Sequence, residues 1–567
     1  MAKPYYFSFW ASIVLSLSLA VVNAIRPVYV KKVIDIAIEK YNHDEILYYS
    51  IGLFILILGA SFLRYLFIYI SRKLGQSVVK DLRIRMFDHV INLRLSYFDK
   101  TAIGTITTRT VNDIETINNI FTQGLIQIIS DLATIVFILF FMFYNSTTMA
   151  LVSVSTLPIL IWVSYVFKNR VKITFQDVRT KVSELNAFLQ EHITGMKIVQ
   201  VFGVEKQEFD KYEEINQAHT DANIKTIWYY SLFFPAVEIL QATAVGLMIW
   251  VGSKYIVNGN QEITIGLMAS YVLWINMLFR PIRFLAERFN TVQMGLVAAE
   301  RVFSLLDNNY KIENNGKVKD IQIKGDLEFK NVYFSYTEGK EILKNISFSI
   351  KQGETLAIVG STGSGKSTII NLLSKLYPIN KGEIKIDNKN INEYELKFLR
   401  QQICTVLQDV FLFSGTIIDN IRLLDKSISI EKIKNTAEMI GADAFIEKLP
   451  NGYNYEVMER GATLSLGQRQ LISFVRALVH EPAILVLDEA TSSVDTETES
   501  IVQNAINKMI VNRTSIIIAH RLSTIQNADK IMVLKNGTIV EYGNKETLLV
   551  NKKDFYQLYK TQFDNMF

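Results

Sequence analysis

Nine consecutive residues in the C-terminal half have the types and spacing that hold a phosphate chain: Gly360, Ser361, Thr362, Gly363, Ser364, Gly365, Lys366, Ser367 and Thr368. They fit G-x-x-x-x-G-K-[ST]. Glycines let backbone N–H groups turn inward around an anion, and the helix opened by the loop offers its N-terminus to negative charge. Lys366 supplies a cation for β- and γ-phosphates, and the Ser367 hydroxyl can ligate Mg2+. Further on, the apolar run Ala483–Leu487 ends in Asp488 and Glu489. A strand buried on both faces delivers such a pair to the C-terminal edge of a parallel sheet, where open α/β folds take their ligands. Asp488 is placed to hold Mg2+ through water, and Glu489 to polarise a water aimed at a γ-phosphate. The implied chemistry is phosphoanhydride hydrolysis.

Such groups work only if a strand, a tight loop and a helix follow one another. Thr355–Val359 is a buried-strand run before the loop, and Thr368–Leu376 is helical in pattern after it. From Asp326 on, short β-type runs such as Glu354–Gly360, Ile484–Leu487 and Ser515–Ala519 alternate with amphipathic helices. That alternation predicts an α/β domain with a parallel sheet, assigned to residues 325–567. The polar stretch Asp307–Gly325, with its Asn-Asn pairs and Gly316, reads as a linker centred on 311–324.

The N-terminal part, residues 1–310, has different chemistry. Tyr5–Ile25 is 21 residues without a charge, Ile46–Leu63 is 18, and Leu132–Phe167 is 36, broken at the polar Asn145–Thr148. Thr226–Val251 carries only Glu238, and Ile263–Phe279 is again apolar. A helix needs about 20 apolar residues to cross the hydrocarbon of a bilayer. Six spans are predicted, the third starting near Ile120. The two long connections, Ser71–Asn119 and Lys168–Lys225, hold 17 Lys and Arg between them, against 5 in the three short ones. The positive-inside rule places the long connections, both termini and the α/β domain in the cytoplasm. The N-terminal run is too long for a signal-peptide core, and Arg26-Pro27 continues into more apolar sequence.

Composition agrees. Of the 567 residues 49% are hydrophobic and only 20% charged, with a mean hydropathy of +0.19. That excludes a disordered chain. One cysteine, Cys404, excludes an intrachain disulfide and a multi-thiolate metal site. A net charge of +5 spread over this length does not call for nucleic acid.

Further residues carry a resemblance. Leu464-Ser465-Leu466-Gly467-Gln468, about twenty residues before Asp488-Glu489, resembles the signature of ATP-binding cassette (ABC) proteins. Gln408 resembles the Q-loop glutamine, Ser493-Val494-Asp495 the D-loop, His520 the switch histidine, and Tyr336 the aromatic that stacks on adenine. The order of these motifs and the six preceding spans cover the whole chain and resemble a half-size ABC exporter of the multidrug and lipid type. The fold expected is an all-α six-helix transmembrane domain followed by an α/β P-loop nucleotide-binding domain.

The resemblance implies ATP and Mg2+ as cofactors, with Ser367, Gln408 and Asp488 near the metal and Glu489, His520 and Gln408 catalytic. It implies a dimer of half-transporters. The phosphate loop of one chain would face Ser465, Gly467 and Gln468 of the other, with Asp495 at the contact. A second copy is the favoured partner and a heterodimer the alternative. Leu466 departs from the commonest signature, which has glycine there. Two coupling helices are expected near 97–107 and 201–212. An amphipathic lipid or drug-like cargo would cross by alternating access in a multi-pass cell-membrane protein (inner membrane in a bacterium). The alternatives on this architecture are a metal-chelate importer and a nucleotide-gated channel or sensor. Arg64, Asp131, Glu238 and Asn276, in or near the spans, are the candidate pathway groups.

Overall fold

The computed structural model describes residues 3–38, 43–258, 262–308, 310–319, 321–423, 425–488, 496–519 and 525–564. The chain forms two compact units: residues 1–91 with 103–308, and residues 92–102 with 309–567.

The first unit is helical. Among the described residues six helices are long and apolar enough to cross a membrane: Tyr6–Ile36, Asp44–Ile91, Ile103–Asn145, Thr147–Thr194, Glu205–Val257 and Ile265–Leu306. At 31 to 53 residues they exceed the predicted apolar runs. Charged segments of good helix formers extend them, because nothing in those segments breaks the backbone hydrogen-bond ladder. Pro27 lies inside the first helix, as the reading of Arg26-Pro27 requires. A π-helical turn at Ile120–Leu125 lies inside the third helix, where the third span was expected to start. Ser146 caps the fourth helix by accepting from Met149 N, and Thr264 caps the sixth by accepting from Leu267 N.

The core of this unit lies around the sixth helix, where Tyr271, Trp274, Ile275, Leu278 and Phe279 are fully buried. Their polar atoms are satisfied, as burial in an apolar interior demands. Trp274 Nε1 donates to Ala24 O at 2.9 Å, and the Tyr271 hydroxyl lies 2.5 Å from Met142 O and 2.9 Å from Ser146 O. The second helix is the opposite case. Phe54, Ile55, Leu58 and Phe62 are all exposed, as a lipid-facing surface would be.

The second unit holds twelve strands among its described residues. They are β1 (Leu327–Phe334), β2 (Leu343–Ile350), β3 (Thr355–Gly360), β4 (Lys381–Ile386), β5 (Lys389–Asn390), β6 (Ile403–Val406), β7 (Gly415–Thr416), β8 (Glu456–Val457), β9 (Ile484–Asp488), β10 (Thr514–Ile518), β11 (Lys530–Lys535) and β12 (Thr538–Gly543). The main sheet runs β12-β11-β3-β10-β9-β6, with parallel pairing from β11 to β6 and β12 antiparallel at one edge. A second sheet, β2-β1-β4-β5, is antiparallel.

Strands β3, β9 and β10 are almost wholly buried apolar runs, the pattern of a sheet covered on both faces. Among the described residues three apolar cores line the main sheet, one of them packing Ala357, Val359, Ile531 and Val533 against Leu548 and Phe555, and the other two are larger. Of the larger two, one gathers Ile369, Ile370 and Leu373 with β1, β2 and β4, and the other gathers Leu464, Leu471 and Phe474 with Ile417, Ile433 and Val502.

Candidate nucleotide site

Strand β3 leads directly into the phosphate loop, and the helix Lys366–Leu373 leaves it. The loop turns because its glycines take backbone angles that L residues avoid: φ is +81° at Gly363 and +106° at Gly365. A Cβ on Gly365 would lie 2.6 Å from Leu343 Cδ2, whereas a Cβ on Gly363 would meet nothing within 4 Å. Gly365 is thus fixed by packing, and Gly363 borders open space that a phosphate can fill. Lys366 is buried, and its Nζ donates to Gly360 O at 2.8 Å and to Ser361 O at 3.1 Å, so its ammonium lies over the loop. Among the described residues the buried Ser364 Oγ has no partner. Open space, a lone hydroxyl and a cation over a helix N-terminus fit a polyphosphate.

Asp488 ends β9 on the same sheet edge. Ile518 of β10 aligns with both Asp488 and Ile358, so the carboxylate lies two strands from Gly360 and close to its level. Gln408 is exposed just beyond β6, the strand that pairs with β9. Parallel pairing therefore brings the loop, Asp488 and Gln408 to one edge. Glu489, Asp495 and His520 lie outside the described residues.

Tyr336 follows β1 and is 39% exposed. Its hydroxyl donates to Thr368 Oγ1 at 3.3 Å and accepts from Asn371 Nδ2 at 3.2 Å, which ties it to the helix after the loop. The buried face of the ring meets Phe334 and Tyr377 edge-on, with centroids 4.8 and 5.0 Å away. Asn371 and Tyr377 were not singled out from sequence. Asn371 is one helical turn beyond Thr368, and that spacing could have found it. No sequence signal marks Tyr377.

Ser465 caps the helix Leu466–Leu478. Its Oγ accepts from Gln468 N at 3.2 Å, and Gln468 Oε1 accepts from Ser465 N at 2.9 Å. Leu466 is the first helical residue and is not among those with positive φ, so its backbone makes no demand for glycine. Gly467 is buried.

Residues 9–282 match the family model "ABC transporter transmembrane region", and residues 343–492 match the family model "ABC transporter". A Bacillus subtilis protein named "uncharacterized ABC transporter ATP-binding protein YknV" is 39% identical over 535 residues, covering 94% of this chain and 88% of that one. The chain belongs to the ABC transporter family. It is an ABC half-transporter of the exporter type: a multi-pass membrane protein with a cytoplasmic, ATP-hydrolysing nucleotide domain.

A second B. subtilis relative, named "probable multidrug resistance ABC transporter ATP-binding/permease protein YheH", is 37% identical over 87% of this half-transporter and 73% of its own length. A Staphylococcus aureus protein, provisionally named for multidrug export, is 34% identical over 99% of this chain and 98% of its own.

The candidate pathway groups of the half-transporter differ in setting. Arg64 and Glu238 are exposed on this chain. Asp131 accepts from Gln127 Nε2 at 2.9 Å, with Arg288 Nε 4.0 Å away. Asn276 accepts from Gln241 Nε2 at 2.6 Å, and Arg283 donates to Gln241 Oε1 at 3.3 Å. Gln241 and Arg283 escaped the sequence reading, the first because an uncharged glutamine does not interrupt an apolar run.

The two cytoplasmic turns are also resolved into helices. Near 97–107 the chain forms Leu95–Lys100, breaks at Thr101-Ala102 and resumes as Ile103–Thr110. The short helix Met196–Val201 precedes the second stretch, and a turn with Gly203 at φ +63° leads into Glu205–Val257.

Proposed function

We propose that two copies of this half-transporter export an amphipathic lipid or drug-like molecule, driven by MgATP. The observation that carries this reading is the phosphate loop at one sheet edge with Asp488, in a chain that also has six membrane-length helices. Ser367, Gln408 and Asp488 hold Mg2+, which when bound screens charge on the phosphates. Lys366 and the loop amides bind the β- and γ-phosphates, and Tyr336 stacks on the base. Glu489 orients the attacking water and accepts its proton, and His520 steadies the γ-phosphate.

Two features support pairing of copies. The helix capped by Ser465 belongs to one apolar core and the helix after the phosphate loop to another. That separation suits a signature that meets the ATP of another chain, with Asp495 at the contact. Ile198, Val201 and Phe202 of the second cytoplasmic turn are each more than 60% exposed, and the partner's nucleotide domain would cover them. ATP-driven closure would then alternate access to a cavity that includes Gln241, Asn276 and Arg283, polar groups set among apolar helices.

The test is ATP hydrolysis by the chain purified alone in lipid nanodiscs, with Glu489→Gln as the blank. Activity above the blank supports a homodimer. Folded, ATP-binding protein without activity would overturn it in favour of a heterodimer. Uptake of a fluorescent amphipathic dye into inverted vesicles tests direction, and uptake into right-side-out vesicles instead would overturn export.

A further inference from the structure

Residues 92–102 leave the helical unit and join the nucleotide unit. Leu93 bridges to Lys311, Arg94 N donates to Tyr310 O at 2.9 Å, and Ile312 N donates to Asn92 O at 3.0 Å. Arg94 also pairs with Glu313 at 2.5 Å and donates through Nε to Lys311 O at 2.8 Å. These bonds fix the segment to the start of the nucleotide unit. One bond goes further. The hydroxyl of Tyr377, a side chain only 7% exposed, donates to Asp99 on the helix Leu95–Lys100. The ring carrying that hydroxyl stands edge-on to Tyr336 at 89°, centroid to centroid 5.0 Å. Burial, and then the Asp99 carboxylate, push the Tyr377 hydroxyl above its ordinary value, so it stays a donor.

We propose that Tyr377 is a positioning residue that links occupancy of the base site to the cytoplasmic helix Leu95–Lys100, through its edge contact with Tyr336 and its hydrogen bond to Asp99. The inference rests on the assignment of Tyr336 to the base. A base laid on the exposed face of Tyr336 limits the tilt of that ring. The edge contact passes this limit to Tyr377, which is held among Phe334 and Tyr336 and has little room of its own. The hydroxyl then holds Asp99, and with it the short helix, in one register. The coupling thus responds to the base, whereas the loop and Lys366 respond to the phosphates.

The experiment uses the full chain in nanodiscs with Glu489→Gln to prevent turnover and Cys404→Ala to remove the native thiol. A nitroxide is attached at Lys100→Cys, an exposed position at the end of the short helix. In this parent, MgATP is expected to change the spectral line shape and Mg-tripolyphosphate, which lacks a base, to leave it unchanged. Adding Tyr377→Phe keeps the ring wall, so MgATP affinity stays within about threefold while the line-shape response is lost. Asp99→Leu is expected to do the same. The proposal is overturned if Tyr377→Phe responds like the parent, if tripolyphosphate acts like ATP, or if the parent does not respond. It is also overturned if Tyr377→Phe loses affinity as far as Tyr336→Ala, which would make Tyr377 a mere wall. Unchanged MgATP affinity in Tyr336→Ala would instead refute the base assignment itself.

Discussion

Lys366 Nζ donates to the carbonyl oxygen of Gly360, six residues earlier, across 2.8 Å. The lysine is thereby held over the loop before any phosphate arrives, and little side-chain entropy remains to be lost on binding. Lys366→Ala removes a charge-assisted contact of about 1.5–3 kcal/mol, so ATP affinity should fall roughly 10- to 150-fold. Titration calorimetry on the purified chain checks this, and unchanged affinity would count against the loop as the phosphate site.

Tyr336 separates two contributions. Its hydroxyl bonds to Thr368 and Asn371 are long, at 3.3 and 3.2 Å, so Tyr336→Phe should change ATP affinity only about twofold. Tyr336→Ala removes a stacking surface worth about 1–3 kcal/mol per base, roughly a 5- to 150-fold loss. Equal losses in the two variants would move the role from the ring to the hydroxyl.

Glu489→Gln keeps size and polarity but cannot take a proton from water. Turnover should drop by about 100- to 10,000-fold, the usual worth of a general base, while ATP still binds. Phosphate release in nanodiscs measures it, and wild-type turnover would remove Glu489 from the chemistry.

The phosphate loop and Asp488 were legible in the sequence because each is local: a glycine pattern, and an apolar strand ending in acid. The Ser465 cap was not read from the sequence, although Ser-x-x-Gln is a capping-box pattern, and its reciprocal bonds need coordinates. Asp99 and Tyr377 are 278 residues apart, and no periodicity reports such a pair. The helix ends were hidden for another reason. The bilayer sets the apolar length, but backbone continuity sets the helix length, so Thr226–Val251 became part of Glu205–Val257.

Within the membrane unit, the Tyr271 hydroxyl serves the carbonyls of both Met142 and Ser146. Tyr271→Phe should destabilise the unit by about 0.6–1.7 kcal/mol, from the average to the largest value found for hydrogen bonds between membrane helices. A lowered melting temperature in detergent, with ATP affinity unchanged, is the expected result. An unchanged melting temperature would mean the two carbonyls are served otherwise.

Cys404 lies in β6, and burial pushes its thiol up to about 11. At pH 8 only about one molecule in a thousand is then thiolate, the reactive form. N-ethylmaleimide should leave the folded protein unmodified at pH 8 and label it fully in denaturant, as intact mass would report. Rapid labelling of the folded form would contradict the raised thiol of this half-buried cysteine.

The segment 92–102 belongs to the nucleotide unit yet is synthesised first. Arg94 meets Lys311 across 217 residues of chain, and Asp99 meets Tyr377 across 278. At about 5–20 residues per second, a ribosome needs on the order of tens of seconds to make that intervening length. During that interval four of the six membrane helices are still to be made, and Asp99 has no Tyr377 to hold. The short helix is therefore set in place late in biogenesis, only after Tyr377 has been made.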